Sequence, residues 1–248
     1  MNQPMLTVAL MFPEELYIFT VLSLTLATLH DMRPTSTSIP PAAATRTLWL
    51  VRHGESTWNM LGLAQGHNDQ AELTGRGQRQ AAQIAERFRG TPIRALYASD
   101  LRRARQTAAP LAAAAGLPVE LDPRLRERSL GVLEGTPAAA NDPSATGLDL
   151  GAGRITDPDR RPEGGESVRD LYLRAAAFLE DLAAGALPAP ASATGEGDGA
   201  GEGDGAGGVV IVAHGGTVRV LSACLMGVPV EEMGWAPLDN ATVREFPY

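Results

Sequence analysis

Leu48-Trp49-Leu50-Val51-Arg52-His53-Gly54 is the stretch on which the reading of this chain turns. Four consecutive apolar residues are too few for a buried helix and suit a strand covered on both faces. The run stops at Arg52 and His53, so these two side chains stand at the carboxyl end of a strand. The same pattern returns at Val209-Val210-Ile211-Val212-Ala213, which runs into His214-Gly215-Gly216. Ile93 to Ala98 reads as a further strand, ending at Ser99-Asp100. Helical spacing separates these strands. Thr74 to Phe88 has an N-cap at Thr74 and apolar positions at Ala81, Ile84, Ala85 and Phe88. Leu101 to Ala115 ends at the stop signal Gly116-Leu117-Pro118, Ser167 to Ala184 follows, and a last helix runs from Gly215-Gly216 to about Met226. Val119 to Leu121 reads as a short strand and Thr242 to Phe246 as an edge strand. Alternating strands and helices predict an α/β fold of three layers, α/β/α, with a mainly parallel central sheet.

Composition narrows the functional classes. The 248 residues can bury the core of one large domain or two small ones. The single cysteine, Cys224, excludes an intramolecular disulfide framework and cysteine-rich zinc sites, and fits a reducing, cytoplasmic compartment. All 21 basic residues are arginine, and the formal net charge is −8. That balance disfavours nucleic acid as a partner. The charge is unevenly spread: residues 46–184 hold 18 arginines and 18 acids, while residues 185–208 hold four acids and no base.

Residues 1–45 are expected to form an extension outside the domain at 46–248. Its apolar run, Leu16 to Leu29, is shorter than the about 20 residues of a membrane span and has no basic flank, so no membrane partner is expected. The Ala/Arg/Pro-rich composition begins near Met32, which is an alternative start of translation. Residues 185–208 carry Gly-Glu-Gly-Asp-Gly-Ala twice and read as a flexible solvated loop without calcium-loop spacing.

In open α/β sheets, ligands sit beyond the carboxyl ends of the strands. Arg52-His53-Gly54-Glu55, Ser99 to Thr107 and His214-Gly215-Gly216 all fall there, and Leu125 to Gly131 adds a loop. Together they bring two histidines, several arginines and a carboxylate to one edge, with no metal-ligand set. Arginine forks match phosphate oxygens and keep their charge. A neutral imidazole is a nucleophile near neutral pH, a carboxyl group serves as acid and then base, and a protonated second histidine stabilises developing charge. Either histidine alone would more often be a satisfied core residue; standing after a strand and before glycine argues against that. Arg102 and Arg105 read as surface, Glu134 as a local cap or pair, Glu55 as a helix-start residue, His67 as a loop histidine, and the three tryptophans as packing.

The ordered set of motifs resembles the histidine phosphatase superfamily, in the branch that holds cofactor-dependent phosphoglycerate mutases and many small phosphatases. Beside Arg52-His53-Gly54, the set comprises Gln65-Gly66 with Asp69, Leu73-Thr74, Gly77 with Gln80-Ala81, and Ser99-Asp100-Leu101 with Arg103-Ala104 and Gln106-Thr107. It continues with Leu125, Glu127, Gly131, Glu134-Gly135, Gly165-Glu166-Ser167, Ala213-His214-Gly215-Gly216 and Asn240-Ala241. The resemblance implies a phosphoglycerate mutase-like fold with His53 as the phosphorylated histidine, Glu127 as proton donor and His214 as the second histidine. It implies Arg52, Arg103, Asn59 and His214 as phosphate ligands, and no metal or other cofactor. Gln65, Gly66, Arg128 and Gly215 are further candidates for substrate binding. The segment reads Arg-His-Gly-Glu-Ser, unlike the Arg-His-Gly-x-Arg-x-Pro of the mostly secreted branch.

The mutases of this branch carry a Tyr-Gly-Ala-Leu-like segment and a lysine-bearing insert after the Glu-Arg pair. Here Glu127-Arg128 leads into Ser129-Leu130-Gly131, and residues 136–162 are Gly/Pro/Asp-rich without lysine, expected as a loop over the site. That departure favours a hydrolase of a small phosphorylated metabolite. A phosphoglycerate mutase is the alternative, and a non-catalytic phosphate-binding relative the second. Arg128, Arg160 and Arg161 are candidates for a carboxylate or a second phosphate. The sequence specifies no oligomeric state.

Overall fold

The computed structural model describes residues 46–187 and 207–248. The 1–45 extension, Met32 and most of the 185–208 segment lie outside the described residues. In chain order the elements are β1 (Thr47–Arg52), α1 (Thr57–Met60), α2 (Gly75–Arg87), β2 (Ile93–Ala98), α3 (Arg102–Ala115), β3 (Glu120–Leu121), α4 (Pro143–Thr146), β4 (Leu148–Asp149), β5 (Arg154–Ile155), α5 (Val168–Ala183), β6 (Gly208–Ala213), α6 (Gly215–Leu225) and β7 (Val243–Pro247). Five strands form one sheet in the order β3-β2-β6-β1-β7, parallel except for β7, which pairs antiparallel with β1 at the edge.

Alternation along the central strands builds the three layers. Leu48 and Leu50 of β1, with Val209, Ile211 and Ala213 of β6, pack on α5 and α6 through Leu171, Phe178, Val218 and Leu221. Val51, Val210 and Val212 point the other way, onto Ile84 and Ala85 of α2 and Ala104, Ala108 and Leu111 of α3. Every residue of β6 is buried, which accounts for its uninterrupted apolar run. The predicted layers and mainly parallel sheet are present.

Side chains set the helix limits. Thr74 accepts from the Gly77 amide at the start of α2, and Ser167 with Asp170 forms a reciprocal capping box at α5. Gly116 closes α3 at φ +65°, a left-handed conformation that glycine adopts without strain. The 136–162 stretch departs from the expected loop. Asp142 caps α4, and Leu148 and Asp149 pair with Ile155 and Arg154 in a two-stranded hairpin. Each strand has two residues, too short for a periodic signal.

Candidate active site

The parallel pairing of β1 with β6 opposes Arg52 to Ala213, so the chain leaves both strands at one level. His53 and His214 follow directly. The His53 amide donates to the Ala213 carbonyl at 2.9 Å, and the two imidazoles meet edge to face with centroids 5.1 Å apart. A cavity of about 360 Å³ opens above them, lined by Arg52, His53, Asn59, Gln65, Gly66, Arg103, Glu127, Arg128 and Gly215 among others.

The His53 ring is 2% exposed, and its Nδ1 lies 2.7 Å from the Gly54 carbonyl oxygen. A carbonyl only accepts, so the proton sits on Nδ1 and the Nε2 lone pair is free. Burial, and then the charges of Arg103 and Arg52, hold the His53 pKa well below the usual imidazole value. The ring is therefore neutral near neutral pH, as a nucleophile must be.

His214 lies behind it with no exposed surface. Arg103 Nε donates to His214 Nδ1 at 3.1 Å, which puts the His214 proton on Nε2, 2.8 Å from Ser99 Oγ. Burial, followed by Arg103 and His53, also drives its pKa well down. Beside the Arg103 guanidinium, with Nδ1 accepting from Arg103 Nε, the buried imidazole favours its neutral form.

Arg103 is 1% exposed and reaches the carbonyls of Gly66 at 2.8 Å and Asn68 at 2.9 Å. Burial lowers its pKa to about 10, which still leaves it charged. Arg52 bonds the Leu238 carbonyl through Nη1, while its buried Nε has no partner. The Asn59 Oδ1 accepts from the Ser56 amide at 3.2 Å and Asn240 Nδ2 at 3.0 Å, which fixes the side chain where Asn59 lines the cavity.

Glu127 is held from both ends. Its carboxylate accepts from the amides of Arg128 and Gly216, each at 2.9 Å. A Cβ on Gly216 would lie 2.2 Å from Glu127 Oε1, so only glycine admits the carboxylate at that spot. Its carbonyl accepts from Arg174 Nη2 and from His67 Nε2, both at 2.7 Å. Arg174 also grips the carbonyls of Arg124 and Arg126 at 2.7 Å, pinning the whole loop to α5.

This constellation matches a known family model over residues 48–248, that of the histidine phosphatase superfamily, branch 1. The chain belongs to that superfamily. A probable phosphoglycerate mutase GpmB of Enterobacter sp. (strain 638) is 33% identical over 204 residues, 81% of this chain and 84% of that protein. The Yersinia enterocolitica protein of the same description is 34% identical over the same shares. Among solved structures, a mycobacterial glucosyl-3-phosphoglycerate phosphatase with VO3 is 34% identical, with TM-score 0.64 over 81% of this chain and 92% of that one. A mutant phosphoserine phosphatase of Entamoeba histolytica with phosphoserine is 25% identical, with TM-score 0.63 over 81% and 90%.

The histidine phosphatase fold brings the predicted residues together with two adjustments. His214 contributes from behind His53 instead of lining the cavity, and Arg160 and Arg161 are outside it, with Arg161 paired to Asp170 at 2.7 Å. Arg102 and Arg105 make exposed pairs with Glu72 and Asp69. Glu134 binds the amides of His67 and Leu130, the local role expected of it. Sequence reasoning missed Arg219, which lines the cavity, stacks over Trp235 and donates to the Ala236 carbonyl at 2.7 Å. The signal was there: Arg219 is the one charged residue in α6, four positions after Gly215 and so on the face of the helix N-terminus. Among the described residues, no group of three or more His, Cys, Asp or Glu is arranged to hold a metal ion.

Proposed function

We propose that the chain is a metal-independent phosphomonoester hydrolase that works through a phosphohistidine on His53. The observation that carries this is the pinned tautomer. Gly54 holds the His53 proton on Nδ1, so the bare Nε2 stands among Arg52, Arg103 and the Asn59 amide. Those groups, with the amide end of α6 at Gly215, suit three phosphoryl oxygens. His53 Nε2 bonds to phosphorus as the bond to the ester oxygen breaks, and the Glu127 carboxyl delivers a proton to that oxygen. The Glu127 carboxylate then takes a proton from the water that attacks the phosphohistidine, releasing phosphate and restoring neutral His53. His214 keeps Arg103 aimed through its Nδ1, which accepts from Arg103 Nε.

The solved relatives named as phosphatases support a hydrolase acting on a small phosphorylated acid. The GpmB relatives carry a mutase description, so phosphoglycerate mutase is the second reading. Against it stands the compact cap at 136–155, which replaces the lysine-bearing insert with α4 and a short hairpin. Hydrolysis of an aryl phosphate in EDTA tests the proposal. No turnover there, with turnover of 3-phosphoglycerate only when 2,3-bisphosphoglycerate is supplied, would favour the mutase.

A further inference from the structure

We propose that His67 is a positioning residue that sets the acid Glu127 at a fixed offset from the phosphate pocket, by tying the main chain of Glu127 to the turn that holds Arg103. The role rests on the hydrolase reading, in which Glu127 protonates the leaving oxygen.

The short turn around His67 serves two partners. The carbonyls of Gly66 and Asn68, on either side of His67, accept from Arg103 Nη2 at 2.8 Å and Nη1 at 2.9 Å. Between them the imidazole reaches the acid loop, where its Nε2 lies 2.7 Å from the Glu127 carbonyl oxygen. A carbonyl only accepts, so Nε2 carries a proton and donates it. One residue thus stands between the guanidinium that grips phosphate and the carboxylate that must reach the ester oxygen.

The neighbouring contacts separate this role from holding the loops together. Glu134 Oε1 accepts from the amides of His67 at 2.8 Å and Leu130 at 3.1 Å, so the two loops stay joined without the imidazole. Gly66 has φ +49°, and a Cβ there would lie 2.1 Å from that same oxygen, so glycine lets the turn close on Glu134. Arg174 Nη2 also reaches the Glu127 carbonyl at 2.7 Å, but from α5. Glu166 backs both donors, pairing with Arg174 at 3.0 Å and standing 3.7 Å from His67 Nε2. Arg174 fixes the acid loop to the helix layer. Among the described residues, only the His67 imidazole ties the peptide of the acid itself to the turn that holds Arg103.

Leaving-group dependence reads the placement of the acid. The Arg174 bond remains in His67→Ala, so the carboxylate drifts only part of the way. Since a misplacement of about 1 Å costs on the order of a hundredfold, kcat/KM for an alkyl phosphomonoester should fall about tenfold. Nitrophenyl phosphate turnover, whose leaving group needs no acid, and inhibition by inorganic phosphate should each change less than about threefold. His67→Gln, whose amide nitrogen can stand where Nε2 does, should bring the alkyl ester back to within about threefold of wild type. If His67→Ala does not fold, His67→Asn carries the comparison, because its shorter amide cannot reach the carbonyl. In a Glu127→Gln background the His67 substitution should cost nothing further, since the two residues act as a unit. Equal losses on both esters, no loss on the alkyl ester, or an undiminished loss in the Glu127→Gln background would overturn the role.

A readout without turnover keeps this role apart from the hydrolase reading. The Gly216 amide, on α6, donates to the Glu127 carboxylate at 2.9 Å. Its NMR resonance should shift in His67→Ala and return in His67→Gln. An unmoved Gly216 resonance overturns the positioning whatever reaction the enzyme runs. Absence of aryl phosphate hydrolysis by the wild-type protein in EDTA counts against the hydrolase alone.

Discussion

Substituting alanine for Gly216 moves the proposed acid with little damage to the fold. The added Cβ would stand 2.2 Å from Glu127 Oε1 and 3.3 Å from the Trp235 ring. Real Cβ contacts stay beyond 3.0 Å, so the carboxylate must retreat by at least 0.8 Å. It is the far end of a flexible side chain, and its retreat strains the 2.9 Å bond from the Gly216 amide. Losing one bond to a charged acceptor costs about 1.5–3 kcal/mol, and helical alanine returns up to about 1 kcal/mol. The net loss of stability should therefore stay below about 2 kcal/mol. The catalytic loss is larger, because misplacing a positioned group by about 1 Å costs on the order of a hundredfold. That loss falls on the step that protonates the leaving group. We expect kcat/KM to fall about a hundredfold for an alkyl phosphomonoester and less than about tenfold for a nitrophenyl phosphate, whose leaving group needs no acid. Steady-state kinetics on both esters, beside a denaturant melt, give the answer. An equal loss on both esters, or none on the alkyl ester, would refute Glu127 as the acid.

Two further outcomes follow from the same geometry. Burial depresses the pKa of both His53 and His214, so protons bind these rings more tightly in the unfolded chain. Stability from this source is complete above the unfolded value of about 6.5 and is lost as pH falls toward the lowered values, at up to about 1.4 kcal/mol per pH unit for each ring. Denaturant melts between pH 8 and 4 should show that slope, and replacing either histidine by Asn should reduce it. Arg174→Met removes the three carbonyl clamps on the Glu127 loop, so stability should drop by about 2–3 kcal/mol. If Arg174 positions the acid, alkyl ester turnover falls more than aryl ester turnover; equal losses would mark the clamp as merely structural.

Much of the site was legible because of where its residues stand in the chain. The uninterrupted runs of β1 and β6 declared buried strands, and those strands deliver His53 and His214 side by side. Thr74, Ser167 and Gly116 marked helix ends through their own hydrogen bonding or backbone freedom. The cap was illegible, since α4 has four residues and β4 and β5 two each, held by turns and pairing instead of periodicity. Charge state was hidden too. His214 is neutral because of what surrounds it in space, and Arg103 comes from 111 residues away. Arg161 looked available for an anion until its pairing with Asp170 became visible. Arg219 was overlooked because an arginine in a helix usually faces solvent, whereas this one is turned inward over Trp235.

Trapping the covalent intermediate is the decisive test of the phosphohistidine mechanism. Wild-type protein is mixed with a 32P-labelled phosphomonoester in EDTA and quenched within milliseconds, and the label is mapped by peptide. Nucleophilic attack by His53 predicts acid-labile, alkali-stable label on His53, absent from His53→Ala and discharged by water as inorganic phosphate. Label on another residue, or full turnover by His53→Ala, would contradict it.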